Sequence, residues 1–474
     1  MSNTTTQSLL KKTATEIGEL IRTRQVTSVE ATQALLDHAH SLNDTVNAYI
    51  SFRDDLALAE AARADEEIES GNHRGPLHGV PMAIKDNLYL AGEVTTMASR
   101  IHQDFVSDDD ATVVTKLREA GVVITGKLNM HEYAWGIDNN SPHFGAVHNP
   151  WNLDKVPGGS SGGSGAAVAS DMSFSTLGTD TAGSIRIPSS ACGLVGLKPT
   201  HGRVAKYGCF PLAWTLDHIG PMSKSVADAA AVLQAIAGFD HRDPTSVDVP
   251  VGDYSASLGQ GVEGLVIGVE EDYFFHNVDS TVESLVRAQI AALEERGATV
   301  KKVSIPALAH SEWTELATSL SEASAIHHKD VVDRPEDFGE DILFLFELGE
   351  LFSSVDYLQA QQLRRAIKQD FAAALQDVDV IIAPTLPVMP PDIGSSVADL
   401  NGKDVDLIDN FIRFTGPSNL TGLPALTVPA GLNEGLPVGM QLIGRAFDEE
   451  TLFRVAAQVE ASDPMEGRRA PTGA

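Results

Sequence analysis

Cysteine is scarce: Cys192 and Cys209 are the only two in 474 residues. That excludes a disulfide framework and points to a reducing compartment. Neither sits in a CxxC pair, so thiolate metal sites are excluded as well. Long apolar runs are also missing. No stretch approaches the roughly eighteen apolar residues that a membrane-spanning helix needs. The opening MSNTTTQSLLKK has no basic segment followed by an apolar one, so no signal peptide is expected and the protein is expected in the cytoplasm. Positive charge is in short supply, with 34 Lys and Arg against 65 Asp and Glu, a formal net charge of −31. Such an excess repels phosphate backbones and anionic lipid. Nucleic acid and membranes are therefore not expected as partners. His131-Glu132 suggests zinc, but the second histidine of HExxH is absent, so neither metal nor cofactor is expected.

What remains is ordinary globular composition, 43% hydrophobic and 21% charged, in a chain long enough to bury most of its apolar surface without staples. Thr27 and Glu30 form a capping box ahead of a periodic run from Val29 to Leu42, so the chain should open helically. From Val80 onward, apolar stretches such as Val80–Ile84 and Val122–Thr125 alternate with helical ones such as Asp110–Ala120. That alternation predicts α/β packing. A second β–α–β pattern follows, with Leu265–Val269 and Thr299–Ile305 as strands around a helix from Ser280 to Arg296. Residues 311–330 and 338–376 read as helical, Val378–Ala383 as a buried strand closed by Pro384, Ala425–Val428 and Val438–Ile443 as further strands, and Glu449 to Glu460 as a last helix. The expected division is an N-terminal helical segment (1–70), a core (71–230), a variable α/β and helical region that could cap a substrate (231–376), and C-terminal strands and helix completing the core (377–474).

The chemistry should lie in the Gly/Ser tract Pro157-Gly-Gly-Ser-Ser-Gly-Gly-Ser-Gly165. A flexible linker would have this composition, but apolar sequence follows at once in Ala166–Ala169. A P-loop would need Lys then Ser or Thr after the last glycine, where this chain has Ala166 and Ala167. Gly159-Ser-Ser-Gly-Gly163 satisfies the G-x-S-x-G nucleophile elbow around Ser161, yet the segment before it is polar and ends in Pro157, and no downstream histidine stands out. A serine can instead be activated by a lysine kept neutral through burial. Lys85, at the end of the apolar Gly79–Ile84, fits that requirement, and Lys198 in Gly196-Leu-Lys-Pro199 competes on the same grounds.

Three long motifs then carry a resemblance. Gly158-Gly-Ser-Ser-Gly-Gly-Ser164, Gly178-Thr-Asp-Thr-Ala-Gly-Ser-Ile-Arg-Ile-Pro188 and Cys192-Gly-Leu-Val-Gly-Leu-Lys-Pro-Thr200, with Pro81-Met-Ala-Ile-Lys-Asp-Asn87 upstream, resemble the amidase signature family of serine hydrolases. Weaker similarity runs through Asn149-Pro-Trp151, Asp217–Pro221 and Gly422–Ala425, so most of residues 15–460 is covered. The resemblance implies a single large α/β domain with a mixed central sheet surrounded by helices. It implies a Ser-cisSer-Lys triad of Ser184, Ser160 and Lys85, with a cis bond between Gly159 and Ser160. Backbone N–H groups of Thr181, Ala182, Gly183 and Ser184 would form the oxyanion hole. Ala182 stands where the family usually has glycine; alanine restricts φ but keeps the donor. Asp180 and Arg186 are expected as a buried pair holding this turn, and Cys192 as an inert buried thiol.

By the same resemblance the loop Asn129–Gly145 lines the acyl channel, with Ala134, Trp135, Gly136 and Ile137 against the substrate. Trp135 is either an aromatic wall for that channel or a core residue. Trp313, Phe344, Phe346 and Phe352 either cap the channel or pack within helices. No arginine is evidently placed for a substrate carboxylate, which disfavours small dicarboxylic amides. The expected function is a stand-alone amidohydrolase of linear amides, with aryl amides, carbamates (a urethanase) and esters within its reach. Its partners would be small molecules alone, and a homodimer is compatible with the resemblance. The alternative is the A subunit of a glutamine-dependent tRNA amidotransferase, whose Ser/Thr-rich loop is replaced here by Gly136-Ile-Asp-Asn-Asn-Ser141.

Overall fold

The computed structural model describes residues 8–473, so residues 1–7 of the expected helical N-terminus lie outside the described part. Eleven strands build one mixed sheet: β1 (Tyr49–Phe52), β2 (Pro81–Lys85), β3 (Val123–Leu128), β4 (Ser175–Asp180), β5 (Val195–Lys198), β6 (His218–Ser223), β7 (Val266–Glu270), β8 (Thr299–Val303), β9 (Val380–Pro384), β10 (Ala425–Asn433) and β11 (Leu436–Gly444). Their spatial order is β1-β3-β2-β4-β6-β5-β10-β11-β9-β7-β8. Parallel pairs (β2 with β3 and β4, β7 with β8 and β9) flank a central antiparallel run from β4 to β9. Helices cover both faces, making a single large α/β domain. The inner strands are therefore buried on both sides: every residue of β2, β4, β9 and β11 is buried. Such strands read as continuous apolar or small-residue runs instead of alternating ones.

Helix α1 (Ser28–Val46) starts at the expected capping box, Thr27 accepting from the Glu30 amide while Glu30 reaches back. The Gly/Ser tract becomes α2 (Gly162–Ala169), and a second short helix, α3 (Arg186–Cys192), follows β4. Of three longer helices over the C-terminal part of the chain, α4 (Ser311–Asp333), α5 (Glu340–Gly349) and α6 (Ser354–Asp377), the last two each pack on α4.

The expected 338–376 helix is interrupted. Ser353 caps α6 through a reciprocal capping box with Asp356, and that box starts a new helix where periodicity alone suggested continuation. The strand expected to end at Val428 continues to Asn433. It passes Pro429 through a register shift in which Gly431 takes φ +153°, the way a sheet tolerates proline. No helix among the described residues is long and apolar enough to cross a membrane.

Candidate active site

Lys85 ends β2 with its ammonium stem wholly buried. Its Nζ donates to Ser160 Oγ and Thr179 Oγ1, both at 2.8 Å. Burial is the main force on this group and brings its pKa down to about 7, against the pull of Cys209, Asp180 and Asp217. Near neutral pH a large share of it is thus an amine able to take a proton, which an exposed lysine is not. Asn87 Nδ2 donates to the same Thr179 hydroxyl at 3.2 Å, so Thr179 holds Lys85 and Asn87 together. Sequence reasoning missed Thr179, although it stands inside one of the family motifs.

Ser160 is buried, and the Gly159–Ser160 peptide bond is cis. Ser160 Oγ meets Lys85; no hydrogen bond joins it to Ser184 in this structure. In unliganded enzymes such links are often long and tighten only around substrate. Ser161, the centre of the G-x-S-x-G match, is buried with its hydroxyl on Thr179 O at 3.2 Å, which leaves it no access to a substrate.

Ser184 closes the turn between β4 and α3. The backbone N–H groups of Thr181, Ala182, Gly183 and Ser184 make no backbone hydrogen bond, leaving four donors along one turn. Gly183 is required there: its φ is +139°, and a Cβ would stand 2.4 Å from Thr415 Oγ1. Ala182 has no positive φ, so its methyl adds no backbone strain. Thr415 Oγ1 donates to Ala182 O, and Thr181 Oγ1 donates to Asp217 Oδ1 at 2.6 Å.

Beneath the turn, Asp180 and Arg186 form the expected buried pair, with two contacts of 3.0 Å. Arg186 also donates to Thr415 O, Ser418 Oγ and Asn419 Oδ1, and Asn419 returns a bond to Asp180. Burial works against the Asp180 carboxylate, but Arg186 outweighs it and holds its pKa below the usual range. Every charge in this cluster is compensated, which makes a rigid support.

Lys198 is equally buried and its pKa is driven well down by desolvation. Its Nζ, however, is bonded to Leu423 O and Pro199 O, with no hydroxyl beside it to activate. Cys192 is buried, and burial raises its thiol far above the ordinary value.

Ser184, Thr181 and Ala182 open into a cavity of about 410 Å³. Ala134, Trp135, Gly136 and Ile137 all line it, so the structure brings together the pocket residues expected from sequence with the turn that ends at Ser184. Trp135 both lines the cavity and meets Phe346 edge-on at 5.8 Å. Phe344 reaches the cavity from α5, whereas Phe346 is core and stacks on His327 at 4.3 Å. His131, also in the wall, lies 3.0 Å from Asp138 and 3.1 Å from Asp341. Burial alone would lower its pKa, but the two carboxylates raise it to about 9, so it is an imidazolium. Among the described residues no group of His, Cys, Asp and Glu has the arrangement to hold a metal ion. Glu315 and Leu316, from α4, complete the wall; no sequence motif pointed to either.

The Amidase family model matches residues 30–453. Among curated proteins, the A subunit of the glutamyl-tRNA(Gln) amidotransferase of Moorella thermoacetica is 40% identical over 488 aligned positions, covering 97% of this chain and 98% of that one. Among solved structures, the A subunit of the glutamyl-tRNA(Gln) amidotransferase of Thermotoga maritima is 35% identical, with a TM-score of 0.82 and 96% of each chain covered. A chain from a vestigial protein complex bearing on the origins of an s-triazine catabolic enzyme superposes with a TM-score of 0.92 at 31% identity, over 96% of this chain and 99% of that one.

These relatives overturn two expectations. A stand-alone amidohydrolase of linear amides, carbamates or esters is not what the near-full-length curated relatives are, and a partner set of small molecules without nucleic acid does not fit them. The reasoning from charge failed for a physical reason. A net charge of −31 describes one chain, whereas in a complex the surface that meets a polyanion can belong to a different chain.

Proposed function

The chain belongs to the amidase family of hydrolases acting on carbon–nitrogen bonds, and from that membership we propose that it serves as the A subunit of a glutamine-dependent tRNA amidotransferase in the cytoplasm. The observation that carries this reading is the 40% identity to a curated relative of that kind over 97% of this chain and 98% of the other. Identity spread over both whole lengths is support of a different order from a shared motif.

In this reading Ser184 Oγ attacks the side-chain amide carbon of glutamine. Its proton passes through Ser160 to the neutral amine of Lys85, whose pKa of about 7 suits both the uptake and the return of a proton near neutrality. The N–H groups of Thr181 to Ser184 take the charge that develops on the carbonyl oxygen, each such donor being worth roughly 3–4 kcal/mol. The relay returns the proton to the departing nitrogen, so ammonia leaves and a γ-glutamyl ester remains on Ser184. Water, deprotonated by the same relay, releases glutamate. The ammonia goes to a partner protein that holds the aminoacyl-tRNA.

The test is to purify the chain with the other components of a tRNA amidotransferase and measure ammonia release from L-glutamine and its transfer to glutamyl-tRNA. Both should require Ser184. An intact assembly that releases no ammonia from glutamine would end this reading.

A further inference from the structure

Two glutamates on α4, about two turns apart, are buried in different states. Glu322 is satisfied: it accepts from the Thr215 amide and hydroxyl and from Tyr357 Oη at 2.7–3.1 Å. Glu315 is not. It is 2% exposed, both its carboxyl oxygens are buried beneath the wall with almost no accessible surface, and neither has a hydrogen-bond partner in the protein. Leaving a buried polar group without a partner costs more than the average bond gains, so such an orphan calls for a reason.

The reason lies in where it stands. Glu315 lines the 410 Å³ cavity together with Ser184. Gly416 opposes it, so that even a Cβ there would come within 3.7 Å of its Oε2. The other ionisable groups of the cavity wall are already engaged. Asp138 and Asp341 both hold His131, and Asp406 accepts from the Asp409 amide. The rest of the wall is largely apolar, including Ile137, Ile187, Leu212 and Ile412. Arg364 favours a negative Glu315, but burial dominates and holds the empty carboxyl well above the usual carboxylate range.

We propose that Glu315 is a specificity-determining residue that receives the ammonium group of an α-amino amide substrate. The inference rests on the amidotransferase reading, in which that substrate is L-glutamine. An ammonium that reaches this buried carboxyl supplies the missing partner, and a charge-assisted bond is stronger than a neutral one. An amide lacking the amine leaves the carboxyl orphaned and is rejected for that reason.

The experiment uses the assembled enzyme with two amides, L-glutamine and 4-carbamoylbutanoate, the same molecule without its amine. The wild type should favour glutamine in kcat/KM by at least about tenfold. In E315Q the KM for glutamine should rise by about tenfold while kcat stays within roughly threefold, and the KM for 4-carbamoylbutanoate should not move. Equal kcat/KM of the wild type for the two amides would overturn the inference without any variant. So would an unchanged KM for glutamine in E315Q, or an equal loss on both amides, which a merely structural role would produce. Absence of ammonia release from glutamine by the wild type would overturn the amidotransferase reading, and this assignment with it. Glutaminase activity indifferent to Glu315 would overturn the assignment alone.

Discussion

The two walls of the cavity are built on opposite principles. On the sheet side, from β2 across β4 to the turn ending at Ser184, most buried side chains are held by short hydrogen bonds: Lys85 to Ser160 and Thr179, Thr181 to Asp217, Arg186 to Asp180, Ser418 and Asn419, with Asn87 Oδ1 the unpartnered exception beside Lys85. On the helical side, Glu315 of α4 stands in the wall with both carboxyl oxygens unpartnered, and deeper in α4, off the cavity, both ring nitrogens of His327 and the hydroxyl of Ser321 are unpartnered as well. An exposed apolar side chain lines it too, Phe344, which is 61% exposed. A wall that must hold a few atoms for bond-making is over-determined. A wall that chooses what enters can leave bonds to be completed by whatever arrives.

Variants can break or sharpen that contrast. The largest effect is expected for Ser184→Ala, which should lower turnover by roughly 10⁴-fold with little change in melting temperature, since the hydroxyl supports no packing. Activity within tenfold of wild type would remove Ser184 from the mechanism. Arg186→Met should act on stability. It leaves Asp180 buried without its cation, at about 3–5 kcal/mol by chemical denaturation; a loss under about 1 kcal/mol would show that the support is not rigid. Thr179→Val should lower kcat/KM about tenfold and move the acid limb of its pH profile. The sign follows from the proton. Catalysis needs Lys85 neutral, so wild-type kcat/KM should rise with pH through about 7. Removing an oxygen that accepts from the ammonium makes the charged form less favourable, so the limb should shift to lower pH. A profile flat between pH 6 and about 8 would argue against Lys85 as the base. The smallest effect is expected on the helical wall: Phe344→Ala should raise KM a fewfold and change stability by less than about 0.5 kcal/mol, as for other exposed positions.

Much of the sheet side was legible in the residue order. Lys85, Ser160 and Ser184 lie in contiguous motifs, and the apolar approach Gly79–Ile84 announces a buried lysine. Yet the same logic left Lys198 standing as an equal, because burial can be read from neighbours in sequence while hydrogen-bond partners cannot. Only the fold puts a hydroxyl beside Lys85 and carbonyl oxygens beside Lys198. The helical wall was far less legible. Glu315 and Glu322 have similar local surroundings on one helix, and nothing within α4 says that Thr215 and Tyr357 will come to one and none to the other.

By itself, then, the residue order determined what depends on local chemistry: the family motifs, the α/β alternation, the caps, and the glycine that a φ of +139° demands at Gly183. The tertiary structure decided what depends on distant segments meeting. It chose between two buried lysines, set Thr415, more than two hundred residues away, against the Ala182 carbonyl, and left one carboxyl in the cavity wall without a partner. Contacts of that kind are formed between elements whose separation along the chain leaves no trace in either one, which is why they had to be seen.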